Sequence, residues 1–313
     1  MKKVRLYGNT LKEQLVASRR DRLHHFTLSG GSIRGVVLNA TRMVNEMRWN
    51  HELGILETLV LGHAYIGAAL MASGLKGGDR LGLQVDCSGP IRGLSVEANA
   101  FGEVRGYLKQ VPIPIDKPLE SFDLSPFFGA GFLSVTKVLE DAKQPFTGKV
   151  TLEHGRLAKD LAHYHLQSEQ LATAFSLNVA FDRNGGVTGA GGLMLQVMPG
   201  ADDQTLAELE NCMAHLTSLG KAVHAEDFPN TLLQATFGAH RPRLLESKGV
   251  EFMCHCNRNR IGAMLAMLKV EEIEDMAANG PFPVKIRCHH CNTTFEFSQE
   301  QIRKILHMRH SHN

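Results

Sequence analysis

Four cysteines near the end of the chain constrain its fold more than any other feature. Cys254-His255-Cys256 and Cys288-His289-His290-Cys291 are separated by 31 residues, whereas Cys87 and Cys212 stand alone. A disulfide scaffold would need cysteines spread through a small secreted domain. Here the thiols crowd into one region of a 313-residue chain. Thiolate sulfur suits zinc, and four such ligands close a tetrahedral site with no open position for a substrate. Two close pairs brought together by an intervening helical hairpin meet that geometry. The spacing therefore predicts one zinc ion per chain, held by Cys254, Cys256, Cys288 and Cys291, with an iron–sulfur cluster or free thiols as the alternatives.

The surrounding segment needs such a staple. Asn257 is placed to cap a helix whose apolar stripe is Ile261, Met264, Leu265 and Leu268. A second helix over about 271–279 ends at Gly280, and KIRCHHCNTTFEF reads as strand, knuckle, strand. Ser298 and Gln301 form a capping box for a last helix. So little apolar material is marginal for independent folding. A structural zinc site supplies about 10–16 kcal/mol of apparent binding energy, which is folding energy.

The first cysteine pair has one intervening residue where ordinary zinc ribbons have two. A Cys-x-Cys disulfide closes a small, strained and therefore labile ring. His255, Arg258, Arg260, Lys285, Arg287, His289 and His290 lie close by in sequence. Their charge would offset the excess negative charge of four thiolates and hold the sulfurs in the form that peroxide or hypochlorite attacks. Four cysteines saturate the ion, so the three histidines belong around the ligands rather than among them. On residues alone, a permanent structural clip and an oxidation-sensitive site are equally open. Cys87 and Cys212 read as small packing residues.

The length suits two domains. A hydrophobic share of 43% and a charged share of 21% exclude wholesale disorder. Residues 1–200 read as an α+β domain with a sheet-rich antiparallel core and covering helices. Stretches 80–87, 91–100, 103–108, 131–139, 148–154, 172–182 and 191–199 carry strand patterns at short spacing. A helix over about 157–172 puts Leu157, Leu161, Tyr164 and Leu171 on one face. Residues 58–75 contain no Lys, Arg, Asp or Glu over 18 positions, enough for a membrane span. Scattered Gly, His, Tyr and Ser make a buried core helix the better reading.

Residues 201–250 lose the strand pattern. Asp202 or Asp203 caps a helix carrying Leu206, Leu209, Met213 and Leu216, with Gly220 past its end, and Pro229 opens a short helix that Gly238 closes. These helices have no core of their own, so they read as a helical linker docked on a neighbouring domain, with the C-terminal edge of the first domain as the equally open alternative. Residues 251–313 then form the zinc-binding domain.

The first 50 residues hold ten Lys/Arg against three Asp/Glu and no apolar signal core, a solvated basic surface. The three histidines of the HMRHSHN tail read as surface polarity. The net charge of +2 argues against a nucleic-acid partner. A zinc-ribbon module binding nucleic acid or protein through a purely structural zinc is the alternative that the basic residues near the cysteines motivate. No nucleotide loop, G-x-S-x-G elbow or H-E-x-x-H helix points to an enzyme. The chain reads as soluble and cytoplasmic, without a membrane partner.

The cysteine pattern, together with IRGVVLNAT (33–41), HAYIGAALMASGLK (63–76), LQVDCSGPIRGLSVEA (83–98), EVRGYL (103–108), FTGKVTLEHG (146–155), HYHLQSEQLAT (163–173) and GAGGLMLQVMPG (189–200), resembles the 33-kDa heat-shock chaperonin family over roughly residues 18–300. That family consists of redox-regulated holdase chaperones. The resemblance implies a cytoplasmic, ATP-independent chaperone, inactive while reduced and zinc-bound. It implies that oxidation joins Cys254 to Cys256 and Cys288 to Cys291, releases zinc, unfolds the zinc domain and loosens the metastable 201–250 linker. Apolar surface, including Leu206, Leu209, Met213 and Leu216, would then bind unfolding client proteins, and the oxidised form would be a homodimer.

Overall fold

The computed structural model describes residues 1, 21–115, 121, 123–216 and 219–310. The basic stretch over residues 2–20 and the last three tail residues lie outside these. The chain forms two compact units, one between Val4 and Phe252 and the other from Met253 onward.

The larger unit begins with β1 (Arg22–Leu28), β2 (Ile33–Asn39), α1 (Thr41–His51) and α2 (Ile55–Met71). Strands β3 (Arg80–Cys87), β4 (Gly93–Asn99) and β5 (Glu103–Leu108) follow, then α3 (Ser125–Phe128), β6 (Gly131–Val138), β7 (Phe146–Thr151) and α4 (Leu157–Tyr164). Next come β8 (Thr173–Phe181), β9 (Val187–Val197), α5 (Asp203–Ala214), α6 (Leu219–Ala222) and α7 (Asn230–Phe237). Strands β10 (Arg243–Gly249) and β11 (Glu251–Phe252) end the unit. One sheet has the order β10-β1-β2-β9-β8 and the other β11-β5-β4-β3-β6-β7. Every pairing is antiparallel except that of β11 with β5. The architecture is α+β, as expected.

Helix α2 packs against strands of both sheets. It is long and apolar enough to cross a membrane, yet 83% of its most apolar window is buried within the protein. Tyr65 is fully buried and donates its hydroxyl to the Gly106 carbonyl at 3.0 Å. Gly192 of β9 makes the close approach of α2 possible, because a Cβ there would lie 2.4 Å from Ile66 Cγ2.

The helix expected over 157–172 is shorter. α4 stops at Tyr164, a π turn covers His165–Glu169, and Gln170 adopts a left-handed φ of 55°. Leu157, Leu161 and Tyr164 are buried, whereas Leu171 is exposed beyond the helix end.

The segment after β9 lies on the outer face of the five-stranded sheet. Asp202 caps α5 by accepting a hydrogen bond from the Thr205 amide at 2.8 Å. Leu209 is buried, and Leu206, Met213 and Leu216 are half-buried against a cluster that includes Phe26, Leu28, Ile33, Leu193 and Leu195. Leu232, Leu233 and Phe237 of α7 join it, with the Phe237 ring stacked on Phe26 at 6.3 Å. Gly189 has a specific role, because a Cβ there would lie 1.8 Å from the carbonyl oxygen of the facing Gly220. The Gly220 amide also donates to Asn178 Oδ1 at 2.9 Å. His240 bridges α5 and the β1–β2 turn, lying 3.7 Å from a Glu208 oxygen and 3.2 Å from Ser29 Oγ. The end of the segment is extended rather than helical, since β10 pairs with β1 along the sheet edge. Its side chains are mostly exposed, so the backbone ladder rather than a buried face holds it.

The smaller unit contains α8 (Arg258–Leu265), α9 (Val270–Asn279), the β12 (Val284–Arg287) and β13 (Thr294–Phe297) hairpin, and α10 (Gln299–His310). Among the described residues its core is seven buried apolar side chains, one of them an alanine, which is thin for a separate fold. Asn257 caps α8 by accepting from the Arg260 amide at 2.9 Å, and Ser298 and Gln301 form the reciprocal box before α10. Ile261 and Leu265 are buried, but Met264 of the expected stripe is 60% exposed.

Two stability outcomes follow. Phe237→Ala should cost about 3–5 kcal/mol in denaturant unfolding, as large-to-small core changes do. Leu245→Ala, on the exposed face of β10, should stay within roughly 0.5 kcal/mol. Asp21 is buried and accepts hydrogen bonds from the amides of Arg42 (3.1 Å) and Met43 (2.6 Å) at the start of α1. Burial outweighs these amides and pushes its carboxyl up to about 7. The folded state thus holds the proton more tightly than the unfolded one, whose value is about 4. The stability this gives is complete below about pH 4 and is lost as the pH rises toward 7. Asp21→Asn should flatten that decline in unfolding free energy measured across the same pH range.

Candidate metal centre

Two loops deliver the four sulfurs. Cys254 and Cys256 lie just ahead of the Asn257 cap of α8, and Arg260 Nη1 donates to the His255 carbonyl at 3.1 Å, fixing the turn between them. Cys288 and Cys291 sit in the turn between β12 and β13. The Cys288 amide donates to the Thr293 carbonyl at 2.9 Å, and the Asn292 amide donates back to the Cys288 carbonyl at 2.7 Å. Asn292 takes a left-handed φ of 59°, a conformation that asparagine tolerates. That turn is the predicted knuckle.

The four Sγ atoms all lie within 4.8 Å of one another. Cys254 Sγ is 3.9 Å from Cys288 Sγ, and Cys256 Sγ is 3.2 Å from Cys291 Sγ. A metal–sulfur bond of about 2.3 Å in tetrahedral geometry puts sulfurs roughly 3.8 Å apart. Each short contact joins one pair to the other, so an ion here would clip the start of the unit to its hairpin. Cys254, Cys256 and Cys291 are buried and Cys288 is half-buried. Among the described residues, the group of four sulfurs includes no histidine nitrogen.

Electrostatics supports the same use. Burial, then the neighbouring Cys291 and Cys254 sulfurs, push the Cys256 thiol up to about 12. Contacts with Cys254 and Cys291, then burial, drive Cys288 far above the usual thiol range. Sulfurs this crowded can all be thiolates only with positive charge between them. The donor set therefore fits a soft divalent cation. Two of the basic residues expected to offset the thiolates have other partners. Arg258 donates to the Glu296 carbonyl and Gln301 Oε1 and lies 5.2 Å from the Phe297 ring centroid. Lys285 pairs with Glu296 at 3.4 Å.

Comparison with known proteins places this arrangement. The sequence model of the Hsp33 protein family matches residues 21–298. The chain belongs to the Hsp33 family. It is 34% identical over 288 residues to the 33 kDa chaperonin of Desulforamulus reducens, covering 92% of this chain and 97% of that one. It is 31% identical to the 33 kDa chaperonin of Lachnoclostridium phytofermentans, covering 90% and 96%. The crystal structure of the 33 kDa chaperonin from Thermotoga maritima aligns with a TM-score of 0.84 and 31% identity, over 94% of this chain and 100% of that one. The expected chaperone family is thereby shown.

Within this Hsp33 member, Thr293 is a site residue that sequence reasoning missed. It is buried, and its Oγ1 lies 3.3 Å from Cys291 Sγ, within hydrogen-bonding reach. A hydroxyl two residues past the last cysteine is the only signal the sequence carries for it. Cys87 and Cys212 both lie in the other unit. Burial pushes the Cys87 thiol up, away from reactivity, and Cys212 is half-buried against the apolar cluster under α5.

Removing the hydroxyl should loosen the ligand it touches. Thr293→Val is expected to weaken metal affinity roughly tenfold or more, as losses around a ligand shell do. Competition with a chromogenic chelator measures it.

Proposed function

We propose that this chain is a redox-switched, ATP-independent holdase rather than a catalyst, acting in the cytoplasm. The observation that carries this reading is the convergence of four sulfurs in a unit with a small buried apolar core. Cys254, Cys256, Cys288 and Cys291 would hold one zinc ion per chain in the reduced form. A bound zinc ion supplies the positive charge that keeps four sulfurs ionised, and it cross-links the two ends of the unit.

Oxidation removes the ligands. Two neighbouring thiolates form a disulfide by giving two electrons to peroxide, whose O–O bond breaks to leave two hydroxide ions. Cys254 joining Cys256 and Cys288 joining Cys291 would leave no thiolate for the ion. These pairings lie within each loop, so they also replace the link between the two loops with two local rings. The unit from Met253 onward then unfolds. It is joined covalently to β10 and β11. β10 is a mostly exposed edge strand and α5–α7 precede it, so the 201–250 segment is the next to loosen. The freed surface comprises Leu206, Leu209, Met213 and Leu216 and the sheet residues beneath, among them Phe26, Ile33 and Leu195. Exposed apolar surface of that kind captures unfolding proteins. It also gives two oxidised copies a face through which to dimerise.

Peroxide with mild heat should release about one zinc ion per chain, followed with a metallochromic dye. The same treatment should suppress aggregation of a heat-unfolded client measured by light scattering, and reductant should reverse it. Zinc retention, or release without client protection, would contradict the proposal.

A further inference from the structure

The smaller unit carries an apolar groove of about 580 Å³ between α8 and α10. Ala263, Ala266, Met267 and Met308 line it, with Phe297 and Ile305 continuing into the core beneath. Met267 is 72% and Met308 58% exposed, unusual for large apolar side chains on so small a unit. Methionine is flexible and polarisable, and it recurs where a surface must fit helical partners.

The rim has one sign of charge. Arg258, Lys304 and Arg309 border the groove, and no Asp or Glu lines it among the described residues. Gln301 and the ring of Phe297 hold Arg258 against the wall. Lys304 pairs with Glu300 one turn away at 2.7 Å, with both side chains exposed. Such a pair is weak and easily exchanged for an incoming carboxylate. Arg309 Nε is buried without a hydrogen-bond partner among the described residues, a donor waiting for an acceptor.

We propose that this groove receives an amphipathic helix with acidic flanks from a partner protein, its apolar stripe on the methionines and its carboxylates on Arg258, Lys304 and Arg309. The groove belongs to the folded, reduced unit. It is therefore a docking surface of the resting state, separate from the client surface proposed above.

A fluorescein-labelled peptide spanning residues 201–216 and carrying C212S has this chemistry, with Asp202, Asp203, Glu208 and Glu210 around Leu206, Leu209 and Met213. It serves as the probe in anisotropy titrations of the full-length reduced, zinc-loaded protein. Saturable binding is expected. It should weaken about tenfold with Met267→Glu and with Lys304→Glu, a change of about 1.4 kcal/mol. It should also weaken at high salt and disappear when the four acidic residues of the peptide are lysine. Both substituted positions are exposed, so unchanged zinc content confirms that the variants fold. No saturable binding, variants that bind as tightly as the unsubstituted protein, or a lysine peptide that binds as tightly as the acidic one would overturn the proposal. Because no oxidant is used, failure here leaves the redox reading standing, and failure of zinc release leaves this one standing.

Discussion

Four sulfurs within 4.8 Å of one another set the terms for the rest of the molecule. Left without a cation they repel as thiolates, and as thiols they fill a small core with weak hydrogen-bonding groups. With a cation they become the strongest interaction in their unit, joining the loop ahead of α8 to the β12–β13 turn. Seven buried apolar residues cannot replace that link. In the proposed reading, the stability of residues 253–310 depends on the chemical state of the cysteines as well as on hydrophobic burial.

The larger unit is built the other way. Two sheets with α2 packed between strands of both give it a conventional buried core. The exception is the segment after β9. Helices α5, α6 and α7 add to the five-stranded sheet from outside and contribute apolar side chains to a cluster that the sheet only half supplies. Their removal would leave the large unit's inner core intact and its outer sheet face bare.

Much of this was legible in sequence, for physical reasons that differ by element. Strands β3 to β7 bury one face only, so apolar and polar residues alternate and the pattern is readable. β2 is covered on both faces, by α2 on one side and the α5–α7 segment on the other, and reads as a featureless apolar run. β10 failed to register for the opposite reason, since its side chains are mostly exposed. The cysteine centre was the clearest feature because four ligand residues at short spacings have few other uses. Thr293 was not visible, because a hydroxyl's partner is a matter of the turn's geometry. The exposure of Met264 and Met267 was equally hidden: helical periodicity marks an apolar face but not whether anything covers it.

The proposed coupling runs from loss of the four thiolates, through loss of the C-terminal unit, to loosening of the 201–250 segment. Amide hydrogen exchange on the full-length protein, before and after peroxide treatment, tests it most directly. Protection in residues 253–310 should collapse on oxidation, protection in α5, α7 and β10 should fall with it, and α2 and β3–β6 should keep theirs. Undiminished protection in α8–α10 after both disulfides have formed would contradict it.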